Sequence, residues 1–422
     1  MGVRTMRAMS QNDCRVATEP VPGQPLPRLG RAFIQNPHAT YSQLRASGPA
    51  CRVVMWGGHH VWLITRYAEA KAALVDPRLS KNWRAVMELY PAGKDSPHQS
   101  VLYSHMLLQD PPDHTRLRKL VTKAFTVRSV QRMRPTIGRI ADELLEPIAA
   151  TAAAHGVVDL MESYALQLPL RVISELLGVP PEVRSAFRRH VEPLLTTADP
   201  DELSAAEEAL AELLARLIDA KRQVPTDDLL GALVRTSVAD DELSPDELVS
   251  TAFLLILAGY ETTVNLIGNG VLALLCNPAQ LAAVRANSAL LPQAVEELLR
   301  IESPLNMATQ RFTTEAVKVG DVEIPAGQPV LVALLSANHD DRQFDDPDRL
   351  DVTRTPNPHL AFGYGIHHCL GAPLARLEGE IAIGRLLARF KRISLCDNFS
   401  PDYRSSTLMR GLAALPVRLS VT

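Results

Sequence analysis

Aromatic residues are scarce, at 5% of 422, and the 44 basic and 47 acidic residues nearly cancel to a formal net charge of −3. The few aromatics argue against a stacking platform for single-stranded nucleic acid. The even balance leaves no global field to draw nucleic acid or a membrane surface. Cysteine is sparse too: five residues, at 14, 51, 276, 369 and 396. An odd, scattered set makes no disulfide framework and suits a reducing cytoplasm. The N-terminus lacks the basic and apolar pattern of a secretory signal. Its first thirty residues, with Pro20, Pro22, Pro25 and Pro27, read as an extended surface segment. There is no internal repeat and no linker between complete patterns, so residues 1–422 read as one domain.

What the chain does have is apolar helical text. Its most hydrophobic stretch, Thr251 to Cys276, approaches the ~20 residues that would span a bilayer. Glu261, Thr262, Thr263 and Asn265 interrupt it, and a carboxylate at mid-bilayer is costly. The stretch reads as a long helix buried in protein. From His114 to about Arg300 the text is mostly helical, with breaks at Pro180-Pro181, Asp199-Pro200 and Pro225. Ser244-Pro245-Asp246-Glu247 has the cap, the first-turn proline and the acid three residues on that start a helix. Asn36–Ser47 predicts a short helix. Cys51–Met55 and His60–Thr65, joined through Trp56-Gly57-Gly58, predict a hairpin. Ala316–Val319, Val322–Ile324 and Val330–Ala333 read as short strands, Ala372–Phe390 as a helix, and the tail ending in Leu415–Leu419 as strand. Residues 81–110 show no clean period, as functional or mobile stretches often do. The fold class is mainly α with a smaller β region.

One segment concentrates the chemistry: His359-Leu-Ala-Phe362-Gly363-Tyr364-Gly365-Ile366-His367-His368-Cys369-Leu-Gly371-Ala372-Pro373. A lone cysteine stands in a glycine-rich loop directly before a helix, where converging amides and the helix start favour a sulfur anion. Such a thiolate serves as metal ligand or nucleophile, and on the residues alone both stay open. His367, His368 and Cys369 are too close together to make a tetrahedral zinc site by themselves. Gly363-x-Gly365 has His368 where a dinucleotide fingerprint needs glycine, and no phosphate loop or nucleophile elbow occurs.

At these residues the sequence resembles the cytochrome P-450 family of haem-thiolate monooxygenases, whose signature Phe362-x-x-Gly365-x-x-x-Cys369-x-Gly371 matches in full. The resemblance implies the cytochrome P-450 fold, haem b as cofactor and Cys369 as its axial thiolate, a ligand that favours O–O cleavage. Glu297-Leu-Leu-Arg300 fits the family's Glu-x-x-Arg, with Arg354 in the place of its third, cationic member. This trio is expected to support fold and haem side rather than catalysis. Ala258-Gly259-Tyr260-Glu261-Thr262-Thr263 looks like the oxygen-activation motif. Ala258 would give room to the cofactor, Thr262 would order the proton chain to dioxygen, and Glu261 would relay protons from solvent. By the same resemblance His114 and Arg118, four apart on one helical face, bind a haem propionate with Arg311 and His367. His339 stands where many relatives carry Arg.

The resemblance places substrate contacts at Trp83, Met106, Leu107, Leu254, Leu257, Ala258, Leu305, Asn306, Met307, Leu408 and Met409. The set is largely apolar, so a bulky hydrophobic small molecule is expected. The overall texture is similar to actinobacterial macrolide and polyketide tailoring hydroxylases, which implies hydroxylation or epoxidation of a secondary metabolite. From His114 to Ala141 there are eight basic residues and no acid. This local positive face reads either as solvated surface or as a dock for an acidic ferredoxin, supplied in turn by a ferredoxin reductase. A monomer in the cytoplasm, with no nucleic-acid or membrane partner, completes the expectation. A peroxide-driven peroxygenase and a non-enzymatic haem sensor are the alternatives.

Overall fold

The computed structural model describes residues 26–82, 101–196, 199–240 and 243–421. The long apolar stretch forms one continuous helix, Pro245–Cys276, which we call the central helix. Its start is the predicted capping box: Ser244 Oγ accepts from the Glu247 amide at 3.1 Å, and the Glu247 carboxylate accepts from the Ser244 amide at 2.9 Å. Length and composition would let this helix cross a membrane, but 72% of its most apolar window is buried in protein. Helices Gln167–Leu177, Leu291–Ile301 and Ala372–Arg389 pack directly against it. The buried apolar side chains they share with helix Arg134–His155 form the larger of two core clusters. Burial of that continuous surface, rather than helix propensity, holds the bundle together.

The β region sits to one side. Strands β1 (Ala50–Val54) and β2 (His60–Ile64) form the expected hairpin, with Cys51 opposite Leu63. Strands β3 (Leu79–Ser80) and β4 (Val158–Asp159) follow, then β5 (Arg311–Thr313), β6 (Val317–Val319), β7 (Val322–Ile324) and β8 (Pro329–Val332). The chain closes with β9 (Phe390–Leu395) and β10 (Pro416–Val421). The main sheet runs β1-β2-β8-β5-β3, with β8 parallel to β2 and β10 forming a separate sheet between β4 and β9. Ala50 of β1, Trp62 and Ile64 of β2 and Val330 and Val332 of β8 join Tyr67, Ala70 and Phe344 in the second core cluster.

Two sequence expectations change here. The two-residue strands β3 and β4 and strand β5 have no readable period, because strands that short show no alternation. The local positive face is partly cancelled, by acids from distant elements and by one four residues on in the same helix. Arg116 pairs with Glu247, Arg134 with Glu380 at 2.9 Å and Arg139 with Glu143 at 2.7 Å. Lys119, Lys123, Arg128 and Arg132 stay exposed.

Candidate active site

The cysteine loop is shaped by two left-handed glycines, Gly363 at φ +70° and Gly365 at φ +78°. Gly365 is required twice, since a Cβ there would lie 2.6 Å from Val75 Cγ1. The path brings the Cys369 amide to Phe362 O at 2.9 Å and the His368 amide to Gly365 O at 3.0 Å. Cys369 is thereby set at the start of helix Ala372–Arg389. It is exposed, but to an internal cavity of about 250 Å³ that it helps to line. Burial pushes its thiol up, against the amides of Gly371 and Ala372 and the guanidiniums of Arg118 and Arg376. Those donors favour the anionic form of the sulfur.

The loop is held from behind. Arg118 donates to His368 O at 2.8 Å. Arg376 lies over the Phe362 ring at 4.5 Å and grips Glu296 through Nε and Nη2 at 2.7 and 2.9 Å. His359 adds a contact to the same carboxylate at 3.2 Å. Glu297 and Arg300 are fully buried together, and Arg354 Nε reaches the Glu297 carboxylate at 3.2 Å. The predicted trio therefore meets, and Glu297 also accepts from the Asp351 amide at 2.9 Å and from Asn357 at 3.1 Å. His339 is buried between Asp348 at 2.7 Å and Ile301 O at 3.0 Å.

One face of the central helix lines the same cavity: Leu254, Leu255, Ala258, Gly259, Thr262, Thr263 and Leu266. Thr262 Oγ1 donates to Ala258 O at 2.8 Å, a back-bond that takes up the hydroxyl and bends helices. Glu261 points elsewhere. It is buried, meets Arg404 Nη1 at 3.2 Å, and does not line this cavity.

A third wall is basic. His114, Arg118, Arg311 and His367 all line the cavity, with His114 and His367 ring centroids 4.3 Å apart. Sequence reading missed a fifth member, Lys81, which is buried there with its Nζ on Thr309 Oγ1. It carried no signal beyond lying in the aperiodic stretch. Burial and then Arg311 push the Lys81 pKa well down, and burial pushes Arg311 down to about 10. Burial, with Lys81 next, takes His367 down to about 2. Both ring nitrogens of His114 are buried without a hydrogen-bond partner. Orphaned donors and crowded cations in one corner call for an anion.

The expected substrate residues divide. Met106, Leu107, Leu254, Ala258 and Leu305 line the cavity, whereas Leu257, Asn306, Met307, Leu408 and Met409 do not. Asn306 accepts from Tyr41 at 2.8 Å and donates to Thr407 O at 3.1 Å, so its amide is committed to the scaffold. Met307 is core, Leu408 accepts the Asn306 amide through its carbonyl, and Met409 pairs with Leu305 as an isolated bridge. Trp83 lies outside the described residues. Of the expected cofactor residues, Phe362 and Gly371 line the cavity and Gly365 only shapes the loop. Glu378 also lines the cavity, buried with neither carboxyl oxygen partnered. It was legible in principle, because Gly371, Leu374 and Glu378 recur at helical spacing from the cysteine.

A haem fits this chemistry: a sulfur, a hydroxyl and small residues lining one cavity, apolar walls, and a cluster of cations that would suit its carboxylates. Among the described residues no group of three or more His, Cys, Asp or Glu side chains is placed to hold a metal ion. Comparison with known proteins agrees. The family model described as Cytochrome P450 matches residues 20–177 and 191–412. Cytochrome P450 107B1 of Saccharopolyspora erythraea is 49% identical over 395 residues, which cover 92% of this chain and 96% of that protein. The 6-deoxyerythronolide B hydroxylase of the same organism is 45% identical over 393 residues, covering 90% and 96%. The structure of the tirandamycin C-bound P450 monooxygenase TamI superposes with a TM-score of 0.87 at 48% identity, covering 94% of this chain and 100% of that one.

Proposed function

The chain belongs to the cytochrome P450 family of haem monooxygenases, and from that premise we propose that it hydroxylates or epoxidises a bulky secondary metabolite of macrolide or polyketide type. Bound haem b supplies the chemistry, reduction of dioxygen and insertion of one oxygen atom into the substrate. Cys369 would hold its iron through the thiolate. His114, Arg118, Arg311 and His367 would hold its propionates through charge-assisted contacts.

The remaining work falls to the protein. The amides of Gly371 and Ala372 temper the charge on sulfur, the way outer-shell donors tune a metal. Thr262 holds a proton at Oγ1 on the cavity side of the central helix, and Glu261 relays protons to it from solvent. Met106, Leu107, Leu254 and Leu305 exclude water and orient an apolar substrate. The relatives support the substrate class, one being a 6-deoxyerythronolide B hydroxylase and another bound to tirandamycin C.

Electrons come from a ferredoxin and its reductase. Exposed Lys119, Lys123, Arg128 and Arg132 offer complementary charge, and exposed Tyr364, Ile366 and Val75 give an apolar centre beside the cysteine loop. The described cysteines are all unpaired, in keeping with a cytoplasmic protein. The other exposed large hydrophobics, Trp56, Val157 and Val224, are scattered singly, in keeping with a monomer of one domain.

The observation that carries this reading is that Cys369 and Thr262 line one apolar cavity together with a cluster of cationic side chains. The test is a carbon monoxide difference spectrum of the reduced protein, then a macrolactone panel followed by iron spin state. A pigment held through nitrogen, or none at all, would end it.

A further inference from the structure

The segment between helix Leu291–Ile301 and β5 forms part of the cavity wall, with Pro304, Leu305, Ala308 and Thr309 lining it. It has almost no regular structure of its own, so no helix or sheet ladder fixes its path. Backbone bonds hold its ends: the Arg410 amide donates to Pro304 O and the Ala308 amide to Val332 O, each at 2.8 Å. Asn306 holds its middle. This residue is 3% exposed, does not line the cavity, and has every polar group bonded to another element. Tyr41 Oη of helix Pro37–Ser47 donates to Oδ1 at 2.8 Å, and Nδ2 donates to Thr407 O at 3.1 Å. The Asn306 amide donates to Leu408 O at 2.8 Å, and its carbonyl accepts from the Leu335 amide at 3.1 Å. Tyr41 is itself buried, with its ring edge-on to Phe33 at 5.2 Å. The neighbouring side chains Pro304, Leu305, Met307 and Ala308 are apolar and offer no substitute for these bonds.

We propose that Asn306, anchored by Tyr41, is a positioning residue that holds Leu305 in place and thereby sets the size of ligand the cavity accepts. The inference rests on the haem-loaded cavity of the proposed function and adds two residues outside its lining. A leucine side chain keeps one place against a ligand only if its backbone is held. Here the holding bonds lie on the buried side of the segment, away from solvent. A buried polar group cannot exchange a lost partner for water, so removal of the Tyr41 hydroxyl strands Asn306 Oδ1. The middle of the segment then relaxes, and the wall at Leu305 yields to whatever presses on it. Tyr41 thus governs the cavity's tolerance of bulk from a position that no ligand touches.

Azoles that bind haem iron through nitrogen test this on the haem-loaded full chain, with dissociation constants read from the Soret shift. Imidazole is too small to press on the walls, whereas clotrimazole is a bulky triaryl compound. Tyr41→Phe should bind clotrimazole several-fold more tightly than the parent, with imidazole affinity and haem content unchanged. Asn306→Leu should do the same. The double variant should match Asn306→Leu alone, because the Tyr41 hydroxyl then has nothing left to hold. Tyr164→Phe is the control. It removes another buried hydroxyl, bonded to Ala382 O at 2.9 Å, at a position that does not line the cavity. It should lower stability comparably and leave the preference for clotrimazole as it is. An unchanged or reduced preference in Tyr41→Phe overturns the proposal, and so does an equal gain in Tyr164→Phe, which would mark general loosening. Should Asn306→Leu fail to fold, Tyr41→Phe decides alone, since it keeps the ring and its packing. If neither azole shifts the Soret band of the parent, the haem reading fails first and takes this one with it.

Discussion

Arg300 embraces Glu297 with two prongs, Nε to Oε2 at 2.7 Å and Nη2 to Oε1 at 2.8 Å, and neither side chain has exposed surface. Arg300 also donates to Asn338 O at 2.9 Å and to Pro347 O at 2.6 Å. The pair thus ties helix Leu291–Ile301 to the chain that leads into the cysteine loop. Removing one partner of a buried pair strands the other charge, at about 3–5 kcal/mol. Glu297→Gln or Arg300→Met should lower urea-unfolding stability by that order. Arg300→Lys should not rescue, because an ammonium cannot make the fork. Arg354→Met, at a partly exposed position, should cost less.

Acid should act through Glu302. Burial pushes its carboxyl up, but Arg410 and His38 pull harder and bring it from 4.5 to about 2. The folded pKa lies below the unfolded one. The stabilisation is therefore full above about 4.5 and lost as pH falls toward 2. Glu302→Gln should be less stable at neutral pH and should flatten the melting-temperature profile between pH 4.5 and 2.

Glu378 should show the opposite sign. Burial alone raises its pKa well above 4.5, so the folded state keeps the proton longer than the unfolded chain. Its contribution is present in full below 4.5 and declines as pH rises. Glu378→Gln, neutral at every pH, should fold normally and lose less stability on going from pH 5 to pH 8 than the parent protein.

Thr262→Ala should keep haem and the substrate-induced spin shift while losing product. A positioned proton donor contributes about 10²–10⁴-fold, so product formation should fall by about 100-fold or more. Electron consumption should continue, with peroxide released in place of product. Equal product per electron in the variant would remove Thr262 from the relay.

Gly365→Ala tests the loop. A side chain at φ +78°, with its Cβ 2.6 Å from Val75 Cγ1, adds strain of about 1–3 kcal/mol. Melting temperature should drop and haem content per chain with it. Gly30→Ala, with open space around the added methyl, is the control.

Much of the site could be read from the chain because its chemistry is local. The cysteine loop, the cap at Ser244 and the spacing of Leu254, Ala258 and Thr262 each lie within a few turns of backbone. What could not be read depends on tertiary partners. Glu261 and Thr262 are adjacent in sequence, yet one faces the tail and the other the cavity, and no motif says which. Arg404 and Asn306 owe their roles to a tail that returns from more than a hundred residues away. Lys81 follows a two-residue strand with no pattern to betray it. The basic run looked unopposed because Glu247 and Glu380, which oppose it, lie far along the chain.

The cationic corner has a consequence for how the protein lives in a cell. Lys81, Arg118 and Arg311 crowd together in low dielectric, and among the described residues Asp110 is the carboxylate set against Lys81 and Arg311. Their mutual repulsion weakens the polypeptide by itself, and a doubly anionic guest relieves it, so guest affinity becomes resistance to unfolding. Proteases harvest whatever opens. Iron-starved cells should therefore hold less of the polypeptide.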